Sequence, residues 1–345
     1  MESVKLTRFS HGAGCGCKIA PSVLEEILVT SSKAPHDSNL LVGNDTRDDA
    51  AVIDIGNSKA IISTTDFFMP IVDDAFDFGR IASANAISDV YAMGGVPITA
   101  IAVLGWPINE LSAKVANQVI EGSRSICNEA GISLAGGHSI DNPEPLFGLA
   151  VTGIVDIANI KRNSEATADC SLFLTKPLGV GILSTAQKKG VLEAEDQNIG
   201  RDLMVQLNSI GAEFSKLDYI SAMTDVTGFG LLGHLLELCE GASLNAELTY
   251  ESIPTIKEIY KYLELNCVPG GTNRNWDSYG SKIGEVTSEQ RNILCDPQTS
   301  GGLLVAVKEG SENRFMEFAQ SKGYVLTSIG RTLARKGEGP FINVI

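Results

Sequence analysis

Residues 77–104 read DFGRIASANAISDVYAMGGVPITAIAVL. The stretch from Asp77 to Met93 predicts a helix that stops at Gly94-Gly95. Its small residues, Ala82, Ser83, Ala84, Ala86 and Ser88, permit close packing. Asn85 and Asp89 lie one helical turn apart and share a face. A carboxylate inside so apolar a helix is rarely buried without a partner or a metal. A strand signal follows at Thr99–Leu104.

The pattern on either side decides the fold class. Upstream, Ala51–Ile55 and Ala60–Thr64 read as strands split by the turn Gly56-Asn57. Downstream come a helix at Ser112–Ala130 and strands at Ile132–Ala135 and Phe147–Val155. Hairpin-like neighbours mixed with crossovers predict α+β rather than a doubly wound parallel sheet. Beyond the polar stretch Asp156–Asp169, read as a linker, a second unit begins. Strands fit Ser171–Thr175, Leu244–Thr249, Gly302–Val307 and Tyr324–Ile329. Gly179-Val-Gly181 opens a helix, and further helices fit Gly200–Ser215, Gly230–Cys239 and Ile256–Leu265. No solenoid period or low-complexity tract appears.

Composition narrows the function. A chain of 345 residues suits two domains of roughly 100–200 residues each. The formal net charge of -15 and 6% aromatic content argue against nucleic-acid binding. An acidic chain still binds an anion such as ATP when carboxylates act through Mg²⁺. No apolar run approaches the ~20 residues that span a bilayer, and the start carries no leader-like stretch. Seven scattered cysteines read as free thiols in a reducing cytosol. A cytoplasmic protein is expected.

Three features carry chemistry. Gly14-Cys15-Gly16-Cys17-Lys18 reads as a mobile loop whose thiol is accessible and whose ammonium lowers the thiol pKa. A zinc site at His11, Cys15 and Cys17 lacks the second ligand pair. The loop matches neither the P-loop nor the dinucleotide Gly-x-Gly-x-x-Gly pattern. The second feature is a set of aspartates beside apolar segments: Asp48-Asp49, Asp66, Asp89 and Asp225. Such carboxylates suit a hard cation and phosphates. Third, glycine turns at 94–95, 136–139, 270–272 and 299–302 aim backbone N–H groups at anions. His138 and His234 read as plain hydrogen-bonded residues rather than ligands.

Together these pieces resemble the selenophosphate synthetase (selenide, water dikinase) family, within the aminoimidazole ribonucleotide synthetase-like ATP-binding superfamily. The matching motifs are Ser10–Lys18, Thr46–Ala51, Ser63–Phe68, Asn85–Gly95, Ala135–Ser139, Met223–Gly230, Val268–Thr272 and Cys295–Gly302. They run in order along essentially the whole chain, and the Cys-Gly-Cys-Lys lid is the most specific. The resemblance implies a flexible lid and helix at 1–45, an ATP- and Mg²⁺-binding dimerisation domain at 46–157, and a C-terminal α/β domain at 158–345. It implies a homodimer with joined N-terminal sheets and ATP between the domains. The implied reaction converts ATP, selenide and water to selenophosphate, phosphate and AMP. Selenophosphate would supply selenocysteine and selenouridine tRNA.

Residue by residue, Cys15 resembles the catalytic lid residue and Lys18 the catalytic lysine that contacts nucleotide phosphates. Asp49, Asp89 and Asp225 match Mg²⁺ ligands, and Asp89 also adjoins the nucleotide. Thr46, Arg47, Asp48, Asp66, Gly137, His138 and Ser139 match ATP-binding positions. K⁺ is a candidate monovalent cofactor. Two other readings compete. One is a superfamily ATPase that phosphorylates a nitrogen or oxygen substrate. The other is a thiol-based selenium or metal carrier, which leaves the aspartates unexplained.

Overall fold

The structure is a computed structural model that describes residues 4–29, 37–44 and 47–345. The first sheet contains β1 (Leu40–Val42), β2 (Ala51–Gly56), β3 (Lys59–Phe68), β4 (Val96–Trp106), β5 (Leu134–Asp141) and β6 (Leu146–Asp156). Its order is β1-β2-β3-β6-β4-β5. Only β4 and β5 pair in parallel. The second sheet contains β7 (Ser171–Leu174), β8 (Ile220–Asp225), β9 (Leu244–Leu248), β10 (Leu303–Val307), β11 (Ser328–Ala334) and β12 (Ile342–Val344). Its order is β12-β9-β11-β7-β10-β8, with β12 parallel to β9 and the other pairs antiparallel. The mixed, largely antiparallel pairing is the expected α+β arrangement.

Helices flank these sheets. They are α1 (Pro21–Leu28), α2 (Ala75–Ala92), α3 (Ala113–Glu129), α4 (Val180–Lys188), α5 (Gln197–Met204), α6 (Gly211–Phe214) and α7 (Gly230–Ala242). The series continues with α8 (Ile259–Glu264), α9 (Gly270–Tyr279), α10 (Ser288–Leu294) and α11 (Glu312–Ser321).

Helix α2 organises the molecule. Asp74 caps it, its side chain accepting from the Asp77 N–H (2.8 Å). The helix is apolar around nearly its whole circumference, as a helix buried on all sides should be. One side packs on β3 and β6, another on α3, and its far side reaches β8, α5 and α6. It is therefore the layer between the two sheets. Small residues make this possible. A Cβ on Gly79 would stand 1.9 Å from the Val119 carbonyl oxygen, and one on Gly122 1.9 Å from that of Phe76.

Several expectations change. The region read as one helix over 200–215 is two helices, α5 and α6. Between them Asn208 is buried and donates to Ser88 Oγ and to the Gly301 carbonyl, both 2.8 Å, which ties the break to α2. The strand expected at 324–329 lies at 328–334, and β8 falls where the sequence reading places no element. Residues 136–139 form part of edge strand β5 rather than a turn. The turn at 270–272 opens α9.

Because Gly79 and Gly122 set the α2–α3 separation, Gly79→Ala should cost about 1–3 kcal/mol through overpacking. Thermal unfolding measures this, and an unchanged Tm would show that the helices separate freely.

Candidate active site

The lid is docked rather than loose. Gly14–Cys17 forms a 3₁₀ turn, with Gly14 at φ +52. The Gly14 N–H donates to Met69 O (3.0 Å), and the Cys15 N–H to Thr299 Oγ1 (3.0 Å). Lys188 Nζ donates to His11 O (3.0 Å), Arg274 Nη2 to Gly16 O (2.6 Å), and His11 Nδ1 lies 2.9 Å from Glu144 Oε2. Elements of both units thus hold the loop down.

This docking buries Cys15. Its thiol donates to Asn85 Oδ1 (3.2 Å), which also accepts the Ser300 N–H (2.7 Å). Asn85 Nδ2 in turn donates to Asp66 Oδ2 (2.6 Å). One α2 side chain therefore couples the lid thiol, the 299–302 turn and a β3 carboxylate. Burial pushes the thiol pKa up to about 12, outweighing the lowering by Lys18. The sequence reading expects a lowered value; it holds only for an accessible loop.

Lys18 is about a third exposed, and its Nζ lies 3.5 Å from Asp66 Oδ2. Burial alone would lower its pKa, but Asp66, Cys15, Asp89 and Asp225 together raise it. The ammonium stays charged.

Below the lid the carboxylates meet. Asp89 comes from α2, Asp225 from the end of β8, and Asp49 from the loop before β2. Thr64 donates to Asp89 Oδ2. Ser88 donates to Asp225 Oδ2 (2.5 Å), and Thr224 to Asp49 Oδ1 (2.8 Å). The last two bonds are crossed: the hydroxyl beside one aspartate serves another from a different segment. Burial and mutual repulsion raise all three pKa values: Asp225 and Asp89 act on Asp49, Asp66 and Asp225 on Asp89, and Asp66 on Asp225. At Asp89 burial and repulsion outweigh the lowering by Lys18, and at Asp225 they outweigh that by His234 and Lys18.

Other candidates lie apart. Asp48 Oδ1 accepts the Asn163 N–H (2.6 Å), and Arg47 pairs with Glu240 Oε2 (3.2 Å) on α7. Thr46 lies outside the described residues. Gly137 shares a row with Asp66, through Ala102 on β4 and Leu149 on β6. Three strand spacings put it about 14 Å from Asp66. Gly137, His138 and Ser139 are exposed on the edge and are not brought to the cluster of their own chain.

Thr64, Ser88, Thr224 and Thr299 carry no motif signal of their own role. Lys176 was also missed. It is buried and donates to Ser300 O (2.8 Å) and Gln206 O (2.7 Å), and burial lowers its pKa to about 7. His234 is buried and lies 3.2 Å from both Thr227 Oγ1 and Glu237 Oε2, a hydrogen-bonded role as expected.

Relatives match this chain over its length. One from Aeromonas hydrophila, named selenide, water dikinase, is 59% identical over 100% of both chains. Those of the same name from Pasteurella multocida and Escherichia coli K12 are 58% and 57% identical. They cover 99% of this chain and 97% and 99% of their own. The chain belongs to the selenide, water dikinase family. Residues 47–155 match AIR synthase related protein, N-terminal domain, and 167–343 match AIR synthase related protein, C-terminal domain. Among solved structures, thiamine-monophosphate kinase from Stenotrophomonas maltophilia K279a superposes with TM-score 0.65 at 19% identity, over 89% of this chain and 91% of its own. Hydrogenase maturation protein HypE in complex with ATP gives 0.62 at 16%, over 83% and 80%. These two carry the fold alone.

The donor set fits Mg²⁺, because hard carboxylate oxygens with raised proton affinity supply the charge that such a cation neutralises. Among the described residues, no group of three His, Cys, Asp or Glu side chains is placed to hold a metal ion by itself, so a cation here would need phosphate oxygens and waters to complete its shell.

The raised carboxyl groups make the folded state bind protons more tightly than the unfolded one. Their contribution is therefore lost as pH rises above the usual carboxylate range, 3.8 for Asp. Asp89→Asn should stabilise the metal-free protein at neutral pH by about 0.5–2 kcal/mol and flatten this pH dependence. A lower or unchanged Tm at pH 7 would contradict the mutual repulsion.

Proposed function

We propose that the protein is a selenide, water dikinase: ATP, selenide and water give selenophosphate, phosphate and AMP. The reading rests on one juxtaposition, the lid residues Cys15 and Lys18 lying directly over the aspartate cluster between the two units. Mg²⁺ held by Asp49, Asp89 and Asp225 would neutralise phosphate charge; K⁺ remains a candidate without an assigned site. Phosphoryl transfer is chiefly positioning and charge neutralisation. Lys18 adds a point charge that arrives only with the docked lid. Selenium attacks the γ-phosphorus, the bond to ADP breaks, and water later cleaves ADP to AMP and phosphate. The buried thiol of Cys15, oriented by Asn85, guides the soft selenium nucleophile that a hard cation would not hold.

We further propose a homodimer through the open face of the first sheet. There Ile53, Ile55, Phe67, Val96, Ile98 and Ile101 are each about half exposed. A contiguous apolar face of this kind marks an interface. Across it, Gly137, His138 and Ser139 would serve the partner's nucleotide, which accounts for their distance from their own cluster. Arg47 and Asp48 would frame the nucleotide, together with Thr46. Seven free cysteines fit a cytoplasmic protein. No helix among the described residues is long and apolar enough to cross a membrane.

Anaerobic incubation with ATP, Mg²⁺ and selenide, followed by ³¹P NMR, tests the reaction. A selenium-coupled phosphorus signal with equimolar AMP is expected. ADP as the end product, or turnover independent of selenide, would overturn it. Cys15→Ser should lower turnover by about 100-fold or more; full activity would remove the guiding role.

A further inference from the structure

Between the outer surface of the lid and the second unit lies a cavity of about 340 Å³. Its walls include Lys188 and Lys189 at the end of α4 and Arg274 in α9. Three cations around one cavity stand out in a chain of net charge -15. Among the described residues none of the three has a carboxylate at ion-pair distance. Lys188 donates to His11 O (3.0 Å), Lys189 to Asn266 O (2.8 Å) and Arg274 to Gly16 O (2.6 Å). Carbonyl partners leave the charges of Lys189 and Arg274 in place, while Glu144 offsets part of that of Lys188.

A second cavity, of about 10 Å³, lies beneath the lid against Cys15 and Lys18. That is room for about one water-sized species. Gly16, Gly271 and Arg274 line both cavities and so form the partition between them. A Cβ on Gly271 would stand 2.6 Å from Pro297 Cγ, so this partition is tightly fitted. None of Asp49, Asp66, Asp89 and Asp225 lines the outer cavity. Its cations therefore face an anion other than one held at the aspartate cluster.

We propose that the outer cavity is an anion vestibule. It gathers hydrogen selenide, a monoanion at neutral pH, and passes it along Arg274 toward the Cys15 thiol. This rests on the dikinase reading. A space of this size holds on the order of ten waters, so the anion stays hydrated there. The vestibule acts by raising local concentration and encounter rate, an effect of roughly 10–10³-fold for a charged cleft. Salt screens such steering.

Steady-state kinetics with free hydrogen selenide test this in Lys189→Glu and Lys189→Gln. Lys189 lines the cavity but makes no hydrogen bond to the lid, so its charge can be changed without releasing the loop. In Lys189→Glu, kcat/KM for selenide should fall roughly ten-fold, with Lys189→Gln between it and wild type. The KM for ATP serves as the internal control. Added salt should depress the wild-type value and have less effect on Lys189→Glu. Unchanged selenide kcat/KM and salt response in both variants would overturn the vestibule, as would a change confined to inhibition by inorganic phosphate. Wild-type protein without selenide-dependent AMP formation would overturn the dikinase reading, and the vestibule with it.

Discussion

Asp49, Asp89 and Asp225 bring negative charge into a buried junction, where hydroxyl hydrogen bonds, Lys18 and, for Asp225, His234 offset only part of it. Leaving a buried charge uncompensated costs several kcal/mol. The fold accepts that cost at the point where α2, the end of β8 and the loop before β2 converge. The crossed hydrogen bonds from Ser88 and Thr224 make each carboxylate's position depend on another segment. The two units are thus joined through the site itself. Strain of this kind is what a cation and a polyphosphate would relieve.

The lid completes the same arrangement from above. Asn85 lies one helical turn before Asp89 on α2. Its amide holds the Cys15 thiol and the Ser300 backbone through one oxygen and Asp66 through its nitrogen. A single helix therefore sets both the carboxylate floor and the height of the thiol above it. Burial keeps that thiol protonated, which suits guidance of another nucleophile better than attack by the sulfur itself. The backbone contacts from Lys188 and Arg274 hold the loop without using its side chains.

The legible part of this arrangement was local. The small residues and Asp89 in one apolar helix announced α2, and the lid motif announced Cys15 and Lys18. The aspartates were visible because carboxylates beside apolar segments need a reason. Long-range pairing was not legible. Nothing near Ser88 shows that it serves Asp225, and nothing near Lys176 shows that it holds Ser300. The break between α5 and α6 follows from Asn208 reaching α2, a tertiary contact that helical periodicity does not contain. The glycines at 136–137 gave a turn signal, yet strand pairing with β4 overrode it. The expected low thiol pKa failed for a related reason, because burial of Cys15 depends on docking against Thr299 and Asn85.

The central claim is that these aspartates form a cation site completed by nucleotide phosphates. Mn²⁺ binding, followed by loss of the free-ion EPR signal in the presence of a non-hydrolysable ATP analogue, tests it most directly. The account predicts nucleotide-dependent uptake by the wild-type protein and affinity weakened by about 10-fold or more in Asp225→Asn. Equal uptake by the variant and the wild type would contradict it.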